Sequence, residues 1–156
     1  MKKIIILIFV SGIIFSISCK KDSKITDIVN LSASMKCKIN GTSWNSVTRV
    51  TTKQGNSFLI NGTNGGDVLN VTVLDTTTGT YNLTTTIPVQ TKMSATFTNS
   101  SSKPDSLYTS YEGTVTISSV DYTNKKISGT FSFKAKNLLM NEKNFTEGTF
   151  TNLIYQ

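Results

Sequence analysis

The chain has 156 residues, with 16 Lys or Arg against 9 Asp or Glu, no histidine, and a formal charge of +7 at pH 7. That length holds one domain with a core of its own. The missing histidine excludes Ser-His-Asp and Cys-His catalysis and the common zinc ligand sets. The lysines are scattered, without the interleaved aromatics of a nucleic-acid stripe.

Lys2 and Lys3 precede an apolar run, Ile4 to Ile17, broken only by Ser11, Gly12 and Ser16. At about 14 residues it is shorter than the roughly 20 a membrane-spanning helix needs, and has the length of a signal-peptide core. Ser16-Ile17-Ser18-Cys19 then sets small residues before a cysteine. This resembles the lipobox of bacterial lipoproteins. It implies a leader over residues 1–18, and a diacylglyceryl group on Cys19, which becomes the mature N-terminus. An ordinary secretory signal and an uncleaved interfacial helix are the alternatives. Each buried acyl CH₂ contributes about 0.8 kcal/mol, so two or three chains anchor stably. Loss of Lys2 and Lys3 lowers the formal charge from +7 to +5. Lys20, Lys21 and Lys24, next to the lipid, suit anionic head groups.

Residues 19–33 read as the lipidated cysteine and a flexible tether, and residues 34–156 as a single β domain. Met35, Cys37 and Ile39 alternate with Lys36 and Lys38, so Cys37 is expected in the core, unpaired once Cys19 is lipidated. Asn40-Gly41 predicts a type I′ hairpin turn. Val47 to Thr52 and Ser57 to Asn61 follow as strands, then a glycine-rich loop, Gly62 to Asp67, and a strong strand, Val68 to Leu74. Met93, Ala95 and Phe97 mark another strand, and Asn99 to Asp105 a polar loop. Gly79-Thr80-Tyr81, Gly113-Thr114-Val115, Gly129-Thr130-Phe131 and Gly148-Thr149-Phe150 share a Gly-Thr-apolar pattern, read as a recurring bend where a strand begins. Thr114–Val120 and Ile127–Lys136 form a long hairpin about the turn at Asp121–Lys126. Asn137 to Asn144 is a connection with one helical turn at Leu138-Leu139-Met140, and Phe145 to Ile154 closes the domain.

No segment after the leader keeps a helical period. The fold class is all-β with about eight to ten strands. An antiparallel meander barrel, lipocalin- or calycin-like, is preferred to a two-sheet β-sandwich because successive strands are joined by short turns.

Lipobox and tether, Lys38-Ile39-Asn40-Gly41-Thr42-Ser43-Trp44, Gly79-Thr80-Tyr81-Asn82-Leu83, Ile127-Ser128-Gly129-Thr130-Phe131 and Thr146-Glu147-Gly148-Thr149-Phe150 come in an order that resembles small uncharacterised lipoproteins of Bacteroidetes. The resemblance implies a cell-envelope β domain of unknown function, anchored at the outer membrane on its periplasmic or outer face, and carries no catalytic residues. A lipocalin is a looser comparison, since Gly41 and Trp44 are separated by two residues instead of one.

Four groups of residues are candidates for chemistry. Glu112 and Glu147, each followed by Gly-Thr, are the carboxylate pair a glycoside hydrolase would use, or solvated acids at strand ends. Asn61, Asn64 and Asp67 offer oxygens to calcium, or simply make a turn. Trp44, the single tryptophan, either stacks on a sugar or plugs the barrel end; with Tyr108, read as exposed by its alternation against Leu107 and Tyr111, it makes a candidate aromatic binding surface. Thr76 and Ser106, each after an aspartate, resemble O-glycosylation acceptors of Bacteroidetes envelope proteins. The expected function is a non-catalytic, monomeric envelope lipoprotein that binds a small ligand, glycan or protein partner, without cofactor, metal or nucleic acid. The alternatives are a structural or assembly factor with a filled core and, third, a glycoside hydrolase.

Overall fold

The computed structural model describes residues 33–83, 93–99 and 103–156. The leader, Cys19 and all of the tether before Ala33 lie outside them.

The described residues form ten strands of one antiparallel sheet. They are β1 (Ser34–Ile39), β2 (Thr42–Asn45), β3 (Thr48–Gln54), β4 (Ser57–Asn64), β5 (Asp67–Val73), β6 (Gly79–Asn82), β7 (Met93–Thr98), β8 (Leu107–Asp121), β9 (Lys126–Lys136) and β10 (Glu142–Ile154). The order across the sheet is β2-β1-β10-β9-β8-β7-β5-β4-β3, with β6 also on β8. Tight turns set the neighbours. Asn40 and Gly41 take φ of 50° and 83°, the two positive values a type I′ turn requires.

The sheet curls strongly into a half-barrel. Its two ends are consecutive in the chain, and the short link between them ties them together. Ser46 N donates to Met35 O (2.9 Å) and Val47 N to Thr63 O (2.7 Å). On the far side Thr51 of edge strand β3 bridges Tyr155 in parallel, and Lys53 N donates to Gln156 O (2.9 Å). The edge is thus partly covered, which limits pairing with other chains.

The interior is filled by side chains. Phe58, Ile60, Leu69, Val71, Phe145 and Phe150 are wholly buried, and Phe133 stacks on Phe145 with centroids 4.2 Å apart. Cys37 is buried, as its alternation implied, and among the described residues it is free.

Three expectations change. Gly113, Gly129 and Gly148 lie within β8, β9 and β10, so only Gly79 starts a strand. In register Gly129 faces Phe150, Gly148 faces Phe131 and Gly113 faces Phe133. A Cβ on Gly129 would stand 2.4 Å from the Phe150 ring, and one on Gly148 would stand 2.4 Å from that of Phe131. Gly113 thus lies against the backbone of Ser132 and Phe133, while Gly129 and Gly148 make floor space for cross-strand phenyl rings and for a backbone carbonyl, Thr116 O at 2.1 Å and Phe131 O at 2.4 Å from such a Cβ. Gly62 does the same inside β4, where a Cβ would meet Met35 Sδ at 2.8 Å and Trp44 Cη2 at 3.2 Å; the expected glycine-rich loop shrinks to a turn at Gly65-Gly66. Leu138 to Met140 form a tight turn, with Met140 at φ 62°, not a helical turn.

Candidate functional site

β1 fixes the polarity of the barrel. Ser34 pairs with Thr151 and Ile39 with Phe145, so the chain enters at the end that carries the Asp121–Lys126 turn. The opposite, tether-distal end gathers Asn40-Gly41, Gly65-Gly66, the end of β7, a 3₁₀ turn at Pro104–Ser106 and the β9–β10 turn.

At that end a groove of about 310 Å³ opens between Ile39, Thr42, Trp44, Asp67, Phe97 and Lys143. It offers the edges of two buried rings, an ammonium, a hydroxyl and a carboxylate within one cleft, the mixed lining of a small-ligand site. Trp44 is only 5% exposed, and its Nε1 is buried without a hydrogen-bond partner. Removing an indole N–H from water without a partner is costly. The Lys143 ammonium lies 4.9 Å from the Tyr108 ring centre and 5.9 Å from that of Phe97, within cation–π range.

Tyr108 corrects an expectation. It is 8% exposed, while Leu107 is 48% exposed. A bulge between Ser110 and Glu112 reverses the alternation of β8, so the inward parity of Val115 and Ile117 does not carry back to Leu107. Tyr108 pairs with Phe97 beneath Lys143. Trp44 and Tyr108 do share one end of the barrel, but as groove wall and buried support, not as two exposed rings. Sequence reasoning missed Phe97 and Lys143, which reach the groove from β7 and β10 through non-local pairing.

The other candidates are not brought together. Glu112 takes both carboxylate oxygens to Lys134 at 3.2 Å, and Glu147 pairs with Lys38 at 2.7 Å. Strand β9 separates them, which sets two inter-strand spacings, about 10 Å, between their backbones. Asn61 donates to Asn70, which donates to Thr96 Oγ1 at 3.3 Å, in a ladder across three strands. Asn64 and Asp67 instead pair across the Gly65-Gly66 turn, several residues away. Among the described residues no group of three or more His, Cys, Asp or Glu side chains is placed to hold a metal. Thr76 is half-buried on a surface loop, its carbonyl accepting from Tyr122 OH at 2.6 Å. Ser106 is 9% exposed, so the folded domain withdraws that hydroxyl from a modifying enzyme.

A curled antiparallel β domain with an end groove is the class this geometry defines. The chain belongs to a family described as a domain of unknown function (DUF6252), whose model matches residues 31–153. No curated protein and no solved structure matches it.

Proposed function

We propose that the chain is a lipid-anchored cell-envelope protein, held at the outer membrane through Cys19, whose non-catalytic β domain binds a small ligand, in the first place a glycan. The groove between Trp44, Phe97 and Lys143 carries this reading. Ile39 and the edges of the buried Trp44 and Phe97 rings give it an apolar floor, while Lys143, Thr42 and Asp67 suit the hydroxyls of a sugar. The leader and Ser16-Ile17-Ser18-Cys19 support the anchor. A second reading, a structural or assembly factor, draws on the barrel interior being filled with phenyl rings.

Fractionation tests the anchor. The wild type is expected in the membrane fraction and Cys19→Ala in the soluble fraction; a variant that stays with membranes defeats the reading. Binding is tested by the native mass of the domain, with Lys143→Glu as the control.

A further inference from the structure

The turn between β9 and β10 ends in three consecutive apolar side chains left in water. Leu138 is 82% exposed, Leu139 66% and Met140 67%. Contiguous exposed apolar side chains are a mark of interaction sites. This one is also held in place. Asn137 is buried below it, donates from Nδ2 to Asp105 O (2.8 Å), and accepts at Oδ1 from Leu139 N (3.0 Å) and Asn141 N (2.9 Å). Backbone bonds from Asn137 N to Asn141 O (3.1 Å) and from Met140 N to Asn137 O (3.0 Å) close the turn. The tip therefore has little backbone freedom left to lose on docking.

Its base is net basic. Lys136 and Lys143 flank it on β9 and β10. Lys103 lines a depression of about 380 Å³ together with Asp105, Leu138 and Leu139. Of the two carboxylates among them, Glu142 is paired with Lys136 at 3.1 Å, and the other is Asp105. The tip carries no Trp, Tyr or Arg, the side chains that dominate protein–protein hot spots.

We propose that this tip is a membrane-docking loop: Leu138, Leu139 and Met140 enter the acyl boundary of a bilayer whose anionic head groups meet Lys103 and Lys143. The proposal rests on the lipid anchor read at Cys19, which makes the encounter intramolecular and raises the effective concentration of the surface. The reach is sufficient. From Thr151, opposite Ser34, to Glu142 at the base of the tip, β10 rises about 30 Å at about 3.3 Å per residue. The chain from Cys19 to Ala33 extends to at most about 48 Å. Anchor and tip can meet the same leaflet, with the groove of Lys143 turned toward it.

The test uses residues 31–156, which contain every described strand and the whole buried core. Lacking Cys19, this fragment separates the fate of the tip from that of the anchor. Co-sedimentation with phosphatidylglycerol–phosphatidylethanolamine vesicles is expected to retain the wild type. Leu138→Ser, Leu139→Ser and Met140→Ser together are expected to weaken retention at least ~10-fold without lowering the melting temperature, because these side chains touch little in the fold. A wild type that does not bind vesicles, or a triple variant that binds equally well, overturns the proposal. So does a vesicle-free dimer in sedimentation velocity that the triple variant abolishes, since the tip then docks a second copy.

Discussion

Burial pushes the Cys37 thiol up to about 12, and the fold gives it a packing role beside Met35 and Trp44. Only the thiolate attacks alkylating reagents, so almost none of the reactive form exists near neutral pH. Cys37 is expected to resist iodoacetamide at pH 8 in the folded domain and to react fully once guanidinium unfolds it; rapid labelling of the native protein would contradict its buried position. The place of Cys37 was legible in the sequence because Lys36 and Lys38 bracket it in strict alternation. Tyr108 was not, because one bulge near Tyr111 exchanges the two faces of β8 and leaves no mark in composition. The turn at Asn40-Gly41 was legible for a local reason, since both residues tolerate positive φ.

At the scale of the element, the glycines of the Gly-Thr-apolar pattern serve a neighbour's side chain. Gly129 lies under Phe150 and Gly148 under Phe131. Adding a methyl at either position forces a phenyl ring or the sheet to move, an overpacking cost of about 1–3 kcal/mol. Gly55 sits in open space at φ +57°, so Gly55→Ala carries only backbone strain, about 1 kcal/mol. Urea denaturation is expected to rank Gly129→Ala and Gly148→Ala as more damaging than Gly55→Ala; equal losses would mean that close packing against ring and carbonyl is not what selects these glycines. The recurrence was visible in the sequence, but its cause needs the cross-strand register, which depends on contacts far apart in the chain. The β9–β10 turn teaches a similar lesson. Leu138-Leu139-Met140 suggested a helical turn, whereas Asn137 and Asn141 close the loop through local hydrogen bonds and leave the three side chains outside.

At the scale of the whole molecule, short turns made the antiparallel meander readable, including the long β8–β9 hairpin. Closure was not readable. It depends on the two sheet ends meeting at Ser46-Val47 and on Thr51 bridging Tyr155, both set by the accumulated twist of the sheet. The groove is hidden for the same reason. Ile39, Trp44, Asp67, Phe97 and Lys143 come from five different strands and meet only after the sheet has curled. The resulting molecule has two distinct ends, one where the chain enters and one that carries both groove and apolar tip. Ligand binding in that groove is the central claim, and native mass spectrometry of residues 31–156 purified from the protein's own host tests it most directly. The account predicts a reproducible non-covalent mass on the wild type that disappears in an equally folded Lys143→Glu variant. A bare protein mass, or an adduct that Lys143→Glu keeps in full, would contradict it.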